Sequence, residues 1–234
     1  MLKIENLNKS FGDKLVLKNI NLEIEDGDIF AFIGKNGSGK TTTIKCIVGL
    51  LEFESGLIKL DGLDNKNDEL IFKKNIAYIP DNPELYEFMS GYEYLNFIAQ
   101  AYDLDYKIKK DRIYKYSEIF GIKNVLVDSI QTYSHGMKQK LAIISALIHK
   151  PKLLILDEPF VGLDPTATHF LKEEFKNLCS EGSSIFFSTH VLEVAQNLCN
   201  KVAILKDGEI LKCGPTKDVI GDSSLENIFL ELVK

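Results

Sequence analysis

The stretch Gly34–Thr42, GKNGSGKTT, limits the possible folds of this chain more than any other. It fits G-x-x-x-x-G-K-[ST], with Gly34, Gly39, Lys40 and Thr41 at the fixed positions. Glycines leave room for the backbone to curl around an anion. The N–H groups of the intervening Lys35, Asn36, Gly37 and Ser38 then turn inward as donors, and the helix that follows presents its positive end. In such a loop Lys40 reaches β- and γ-phosphates, Thr41 ligates Mg²⁺, and Thr42 continues the helix start. Asp28–Ile33 (DIFAFI) reads as a short apolar strand before the loop, and a helix is expected over Thr42–Leu50. A plain Gly-rich turn would not come framed in this way, so the motif implies a nucleotide-binding α/β chain.

Bulk properties bound the rest. A length of 234 residues suits one compact unit with a substantial core. Its 45% apolar and 26% charged residues are those of a soluble globular protein. A net charge of −6 carries no electrostatic footprint for nucleic acid. Cys46, Cys179, Cys199 and Cys213 are far apart with no C-x-x-C, which reads as free thiols in a reducing cytoplasm. The opening MLKIENLNKSF alternates polar and apolar residues and lacks the apolar centre of a signal peptide. No stretch approaches the roughly 18 apolar residues of a bilayer span. Any service to a membrane would run through a partner.

Alternation predicts strands at Leu2–Leu7 and Ile20–Ile24 with a turn at Gly12-Asp13, then strands at Leu57–Leu60 and Ile76–Ile79, the last stopped by Pro80. From Asn75 to Tyr106 there is no Lys or Arg, yet six acids and eight of the chain's aromatics. Helical spacing follows over Gly91–Tyr102, Lys107–Phe120 and Gly136–His149, so a helical stretch interrupts the α/β core. Leu153–Leu156 is an apolar run of the kind buried on both faces of a parallel sheet. A helix is expected over Thr166–Cys179, a strand over Ser184–Ser188 and a helix over Val191–Cys199. A hairpin about Asp207-Gly208 and an amphipathic helix over Ser224–Val233 complete the pattern.

The second chemical feature is Leu153–Glu158 (LLILDE), two acids at the C-terminal end of a buried strand, where open α/β sheets bind ligands. Asp157 is placed to hold Mg²⁺ through hard oxygen, and Glu158 to face an attacking water. Ser134–Lys140 (SHGMKQK) precedes a helix; Ser134 and the N–H groups about Gly136 form either a plain N-cap or a second anion site. Gly162–Pro165 reads as a turn into a helix, with Asp164 as N-cap and Pro165 at N1. His190 after Ser188-Thr189, and Phe11 beside Gly12, read on their own as structural residues.

In this order the pieces resemble the ATP-binding subunits of ABC transporters over essentially the whole chain. The resemblance implies a P-loop NTPase with a RecA-like core, a mostly parallel central sheet, an N-terminal antiparallel β-subdomain and an inserted α-helical subdomain. It divides the single domain 1–234 into a core of 1–81 and 150–234 and a helical part of 82–149. Gly34–Thr42 becomes the Walker A loop and Leu153–Glu158 the Walker B strand. Glu158 becomes the general base, Gly162–Pro165 the D-loop, His190 the sensor of the γ-phosphate and Phe11 the platform for adenine. Ser134, His135, Gly136 and Met137 stand where the family carries its LSGGQ signature, which meets ATP held by a second subunit. Asp81, after Ile79-Pro80, stands where the family has a glutamine that approaches the lytic water and Mg²⁺. Two departures are plain: the signature has His135 in place of a glycine, narrowing backbone freedom, and Met137 in place of glutamine, while Asp81 replaces the other glutamine. Both resemble exporter-type subunits of the ABC-2 and bacitracin-resistance-like groups. The resemblance implies ATP and Mg²⁺, a homo- or heterodimer, integral membrane permease subunits, no nucleic acid, and a cytoplasmic place against the inner face of the membrane. A soluble ABC ATPase of the iron–sulphur assembly type is the alternative.

Overall fold

The computed structural model describes residues 1–233. Two sheets divide the chain. The first opens with β1 (Leu2–Phe11) and β2 (Lys14–Ile24), and is extended by β4 (Ser55–Leu60) and the short β5 (Leu63–Asp64). It is antiparallel throughout in the order β2-β1-β4-β5. The second contains β3 (Ile29–Gly34), β6 (Ile76–Ile79), β7 (Leu153–Asp157), β8 (Ser184–Thr189), β9 (Lys201–Lys206) and β10 (Glu209–Pro215). Its order is β10-β9-β3-β8-β7-β6, parallel except at the β9–β10 hairpin.

Burial explains the second sheet. Every residue of β3, β7 and β8 is buried, as expected for parallel strands covered on both faces. One face carries Phe30, Phe32, Ile155 and Phe186, packed toward the antiparallel sheet and α1 (Lys40–Ile47). The opposite face carries Ala31, Ile33, Leu154, Leu156 and Phe187, and packs on helices. Those are α6 (Pro165–Ser180), α7 (Leu192–Leu198), α9 (Leu225–Val233) and the helical group between β6 and β7.

That group holds α3 (Gly91–Ala101), α4 (Tyr106–Ile119) and α5 (His135–Leu147). Ser90 and Glu93 form a reciprocal capping box at the start of α3, and such caps are worth about 1 kcal/mol. Asp105 caps α4 and Ser134 caps α5. Two helices lie outside the predicted set: α2 (Glu69–Lys74) and α8 (Thr216–Ile220). Strands β1 and β2 also run further than alternation suggests, reaching Phe11 and starting at Lys14. The fold is thus that of a P-loop NTPase, with a mostly parallel sheet and a separate antiparallel one.

Candidate functional site

The sheet register assembles the site. β7 and β8 run parallel with Asp157 opposite Ser188, and β8 and β3 with Thr189 opposite Ile33. Three strand ends therefore deliver Gly34, Asp157 and Ser188 to one edge, the edge at which α/β sheets bind ligands. Phe11, Asn36, Gly37, Gly39, Lys40, Thr41, Thr42, Asp81, Asp157 and Glu158 line one cleft of about 580 Å³, together with Val16.

The loop is shaped for a phosphate. Gly39 sits at the N-cap of α1 with φ 113°, a backbone state that L side chains avoid. Lys40 is almost fully buried, and its Nζ donates to the carbonyls of Gly34 at 2.7 Å and Lys35 at 3.3 Å. Burial lowers its pKa from the ordinary lysine value, while Glu158 and Asp157 pull it back up. Ser38 is buried beneath the loop. The Lys35 amine is turned away from the cleft and donates to the carbonyl of Val233 at 3.1 Å, so Lys35 offers the loop its main chain only.

Asp157 is buried and accepts from Thr41 Oγ1 at 2.6 Å through Oδ2, and from Ser188 Oγ through Oδ1. A hydroxyl and a carboxylate in contact form a hard-oxygen donor pair that fits Mg²⁺, which takes one or two protein ligands and completes its shell with phosphate and water. Among the described residues there is no cluster of three or more His, Cys, Asp or Glu that could hold a metal ion.

Glu158 follows in a left-handed conformation, φ 50°. Its N–H donates to Ser188 Oγ at 3.2 Å. Its carboxylate lies 3.0 Å from His190 Nδ1 and accepts from the His190 N–H at 3.4 Å. A carboxylate oriented by a neighbouring imidazole at the rim of a phosphate cleft has the geometry of a general base with its orienting partner. Ser188 escaped the sequence reading. Its signal was register: a serine at the same strand end as Asp157.

Ser134, His135, Gly136, Met137 and Asp164 do not line this cleft. Ser134 caps α5, accepting from the Met137 N–H at 3.3 Å. His135 is the first residue of α5, and no left-handed backbone is needed there. The narrowing expected from replacing glycine at 135 therefore has no consequence for the main chain. Asp164 caps α6, accepting from the Ala167 N–H at 2.8 Å, and pairs with Lys140 at 2.5 Å. The Lys140 hydrogen bond holds its carboxyl below the usual range. Phe11 is half exposed at 50%, open for a planar ligand, with the Lys9 amine 5.1 Å from its ring centre.

The model of a family described as "ABC transporter" matches residues 17–161. A second model, described as "AAA domain, putative AbiEii toxin, Type IV TA system", matches the shorter span 129–194. The chain is 39% identical over 211 residues to the uncharacterized ABC transporter ATP-binding protein YdbJ of Bacillus subtilis, covering 90% of this chain and 68% of YdbJ. It is 35% identical to the linearmycin resistance ATP-binding protein LnrL of the same organism, over 94% of this chain and 70% of LnrL. Among solved structures, one described as the ATP binding subunit of an ABC transporter superposes with a TM-score of 0.97 at 34% identity, covering 100% of both chains. The chain belongs to the ABC transporter family, as an ATP-binding ATPase subunit.

Proposed function

We propose that this subunit drives an exporter by closing on ATP with a second ATP-binding subunit and reopening after hydrolysis. The observation that carries the reading is Glu158 standing with Lys40, Thr41 and Asp157 in one cleft, its carboxylate 3.0 Å from His190 Nδ1. Phe11 takes the adenine, the loop Gly34–Thr42 wraps the phosphates, and Thr41 with Asp157 holds Mg²⁺, whose charge steadies the γ-phosphate. Glu158 accepts the proton of the attacking water as oxygen adds to the γ-phosphorus and the bond to the ADP oxygen breaks. His190 keeps that carboxylate aimed. Asp81, at the cleft rim, offers a shorter carboxylate where the family's glutamine would approach the water or Mg²⁺.

The cleft uses none of Ser134–Met137, which supports a pairing of subunits. In that arrangement Ser134 and the N-terminal N–H groups of α5 meet the γ-phosphate held by the opposite subunit, and a homodimer or heterodimer has two such sites. The segment 82–149 is the helical part that transmits nucleotide state from the core 1–81 and 150–234.

Coupling to membrane subunits is supported by the surface after Asp81. A groove of about 370 Å³ is lined by Leu50, Tyr78, Pro83, Leu85 and Tyr94 among others. Beside it Tyr86, Phe88 and Phe97 are exposed at 49%, 81% and 43%, with Glu84 in the groove itself. Lys45 lines the same groove, so its exposed aromatics rather than net charge make this face suit a cytoplasmic loop of an integral membrane permease. The described residues contain no helix long and apolar enough to cross a membrane, so attachment to the inner face runs through that partner. LnrL, by its name a resistance protein, favours export as the direction.

Two measurements test this. Replacing the base, Glu158→Gln, should leave ATP binding intact, lower turnover by about 10²–10⁴, and accumulate a dimer on gel filtration. Hydrolysis at the wild-type rate would remove Glu158 from the role. Expression with the neighbouring gene products should recover a polytopic membrane protein; recovery only with ribosomes or a soluble scaffold overturns the transport reading.

A further inference from the structure

We propose that His135 is a positioning residue for hydrolysis: its ring holds Gly162, and through the turn after Glu158 it sets where that carboxylate stands. The inference rests on Glu158 as the base.

The contact is close. A β-carbon placed on Gly162 would lie 3.1 Å from His135 Cδ2 and 3.3 Å from Nε2, so the imidazole abuts the bare backbone of that glycine. From the same helix turn, a β-carbon on Gly136 would lie 3.0 Å from the Gly162 carbonyl oxygen. The first turn of α5 and the segment after Glu158 thus meet closely here, with the solvent-exposed His135 ring lying beside Gly162. One turn further along, Lys140 pairs with Asp164 at 2.5 Å.

On the other side, the segment leads directly back to the base. Val161 N–H donates to the Glu158 carbonyl at 3.2 Å, closing a tight turn whose first residue already holds the strained φ of 50°. Phe160 anchors the turn in the core, its ring 5.6 Å from that of Phe187. Between Phe160 and Asp164 the chain passes through Gly162, which has φ 80° and no side chain to fix it. His135 supplies that fixation from outside. A displacement of the N-terminus of α5 is therefore passed to Gly162 and on to the Glu158 turn. Alanine or glycine at position 135 would leave the turn free to relax.

The test is a set of steady-state ATPase measurements on the full chain. His135→Ala should lower kcat about tenfold while KM for ATP stays within about twofold. His135→Phe, which keeps a flat ring and removes the ring nitrogens, should recover most of that loss. Gly162→Ala, which drives a methyl into the ring, should be slow as well. The double variant His135→Ala/Gly162→Ala should be faster than the product of the single effects by the part of the Gly162→Ala cost that the ring causes, while the strain of alanine at a φ of 80° remains in both. Wild-type kcat in His135→Ala overturns the proposal. So does a rise in KM alone, which would make the ring a nucleotide contact, and so does His135→Phe as slow as His135→Ala. If Glu158→Gln hydrolyses ATP at the wild-type rate, the base assignment fails and this proposal falls with it. An inactive Glu158→Gln beside a full-speed His135→Ala sinks this proposal alone. Thermal melting of each variant separates loss of fold from loss of position.

Discussion

Mild acid should weaken this protein through one histidine, and the size of the effect can be worked out. His149 lies just beyond α5, its ring stacked on Tyr102 at 3.7 Å with the planes 13° apart. Its Nε2 lies 3.4 Å from the Ile76 carbonyl, and the Tyr102 hydroxyl reaches the same oxygen at 3.5 Å. Burial is the main cause that pushes its pKa down from 6.5 to about 4, with the Arg112 charge adding and the Ile76 carbonyl opposing. The unfolded chain therefore takes up a proton near pH 6.5, and the folded chain resists it until about pH 4. Stability is at its full value above the unfolded pKa and is lost as the pH falls toward the folded one. At 1.36 kcal/mol per unit the whole window is worth about 3 kcal/mol, and about 2 kcal/mol is gone by pH 5. Against a typical stability of about 5–15 kcal/mol that is a large fraction. Urea unfolding at pH 7.5 and pH 5 should show wild type losing about 2 kcal/mol more than His149→Phe, which keeps the stack but cannot take a proton. Equal losses in the two proteins would refute the reasoning. The consequence is local as well as global, because His149 and Tyr102 both tie the helical group to the start of β6, the strand that leads to Asp81.

Two further outcomes follow from the phosphate loop. Lys40→Ala removes a buried ammonium that holds the Gly34 and Lys35 carbonyls. Titration with a fluorescent ATP analogue should show affinity reduced about a hundredfold, the loss of about 2–3 kcal/mol that a charge-assisted contact carries. Gly34→Ala places a β-carbon 2.4 Å from Ser38 Oγ and 2.7 Å from the Leu205 carbonyl. Because Leu205 O is main chain, the strain cannot be relieved by a rotamer change. Melting should fall by the equivalent of about 1–3 kcal/mol, with nucleotide affinity reduced as the loop shifts.

What could be read from the sequence was whatever answers to a local constraint. Gly34–Thr42 was legible because a backbone curled around phosphate accepts few residue types at fixed places. Leu153–Leu156 was legible because a strand buried on both faces must be apolar. Helices α2 and α8 were not. They have six and five residues, too short to be stable alone, and exist because tertiary packing supplies what propensity does not. In α2 the buried contribution is Phe72, while Leu70 and Ile71 stay exposed, so no apolar stripe marks it. The N-terminal hairpin was underestimated for another reason. Asn6, Asn8, Asn19 and Asn21 hydrogen-bond across β1 and β2, with Asn6 and Asn19 at positive φ. These irregularities break the alternation by which strands are recognised, while the pairing continues past them.

The signature segment shows why a departure from a family pattern has to be weighed by the constraint its position answers. Glycine can be needed for a left-handed φ or for a close approach, and the two predict different costs when it is replaced. At position 135 neither applies. The residue opens a right-handed helix, and a side chain there gains a partner in Gly162. At 136 the second applies, since any β-carbon would press on the Gly162 carbonyl at 3.0 Å. Histidine in the first place is therefore tolerated without backbone strain, and a side chain in the second would push its neighbour aside. The same contact changes what the segment is. In sequence, Ser134–Met137 reads either as a plain N-cap or as an anion site, and only the family resemblance implies that it meets a partner's ATP. In the folded chain Ser134 caps α5 and the first turn of that helix lies against Gly162, so under the proposed roles the half-site offered to a partner and the base of the subunit's own cleft share one contact.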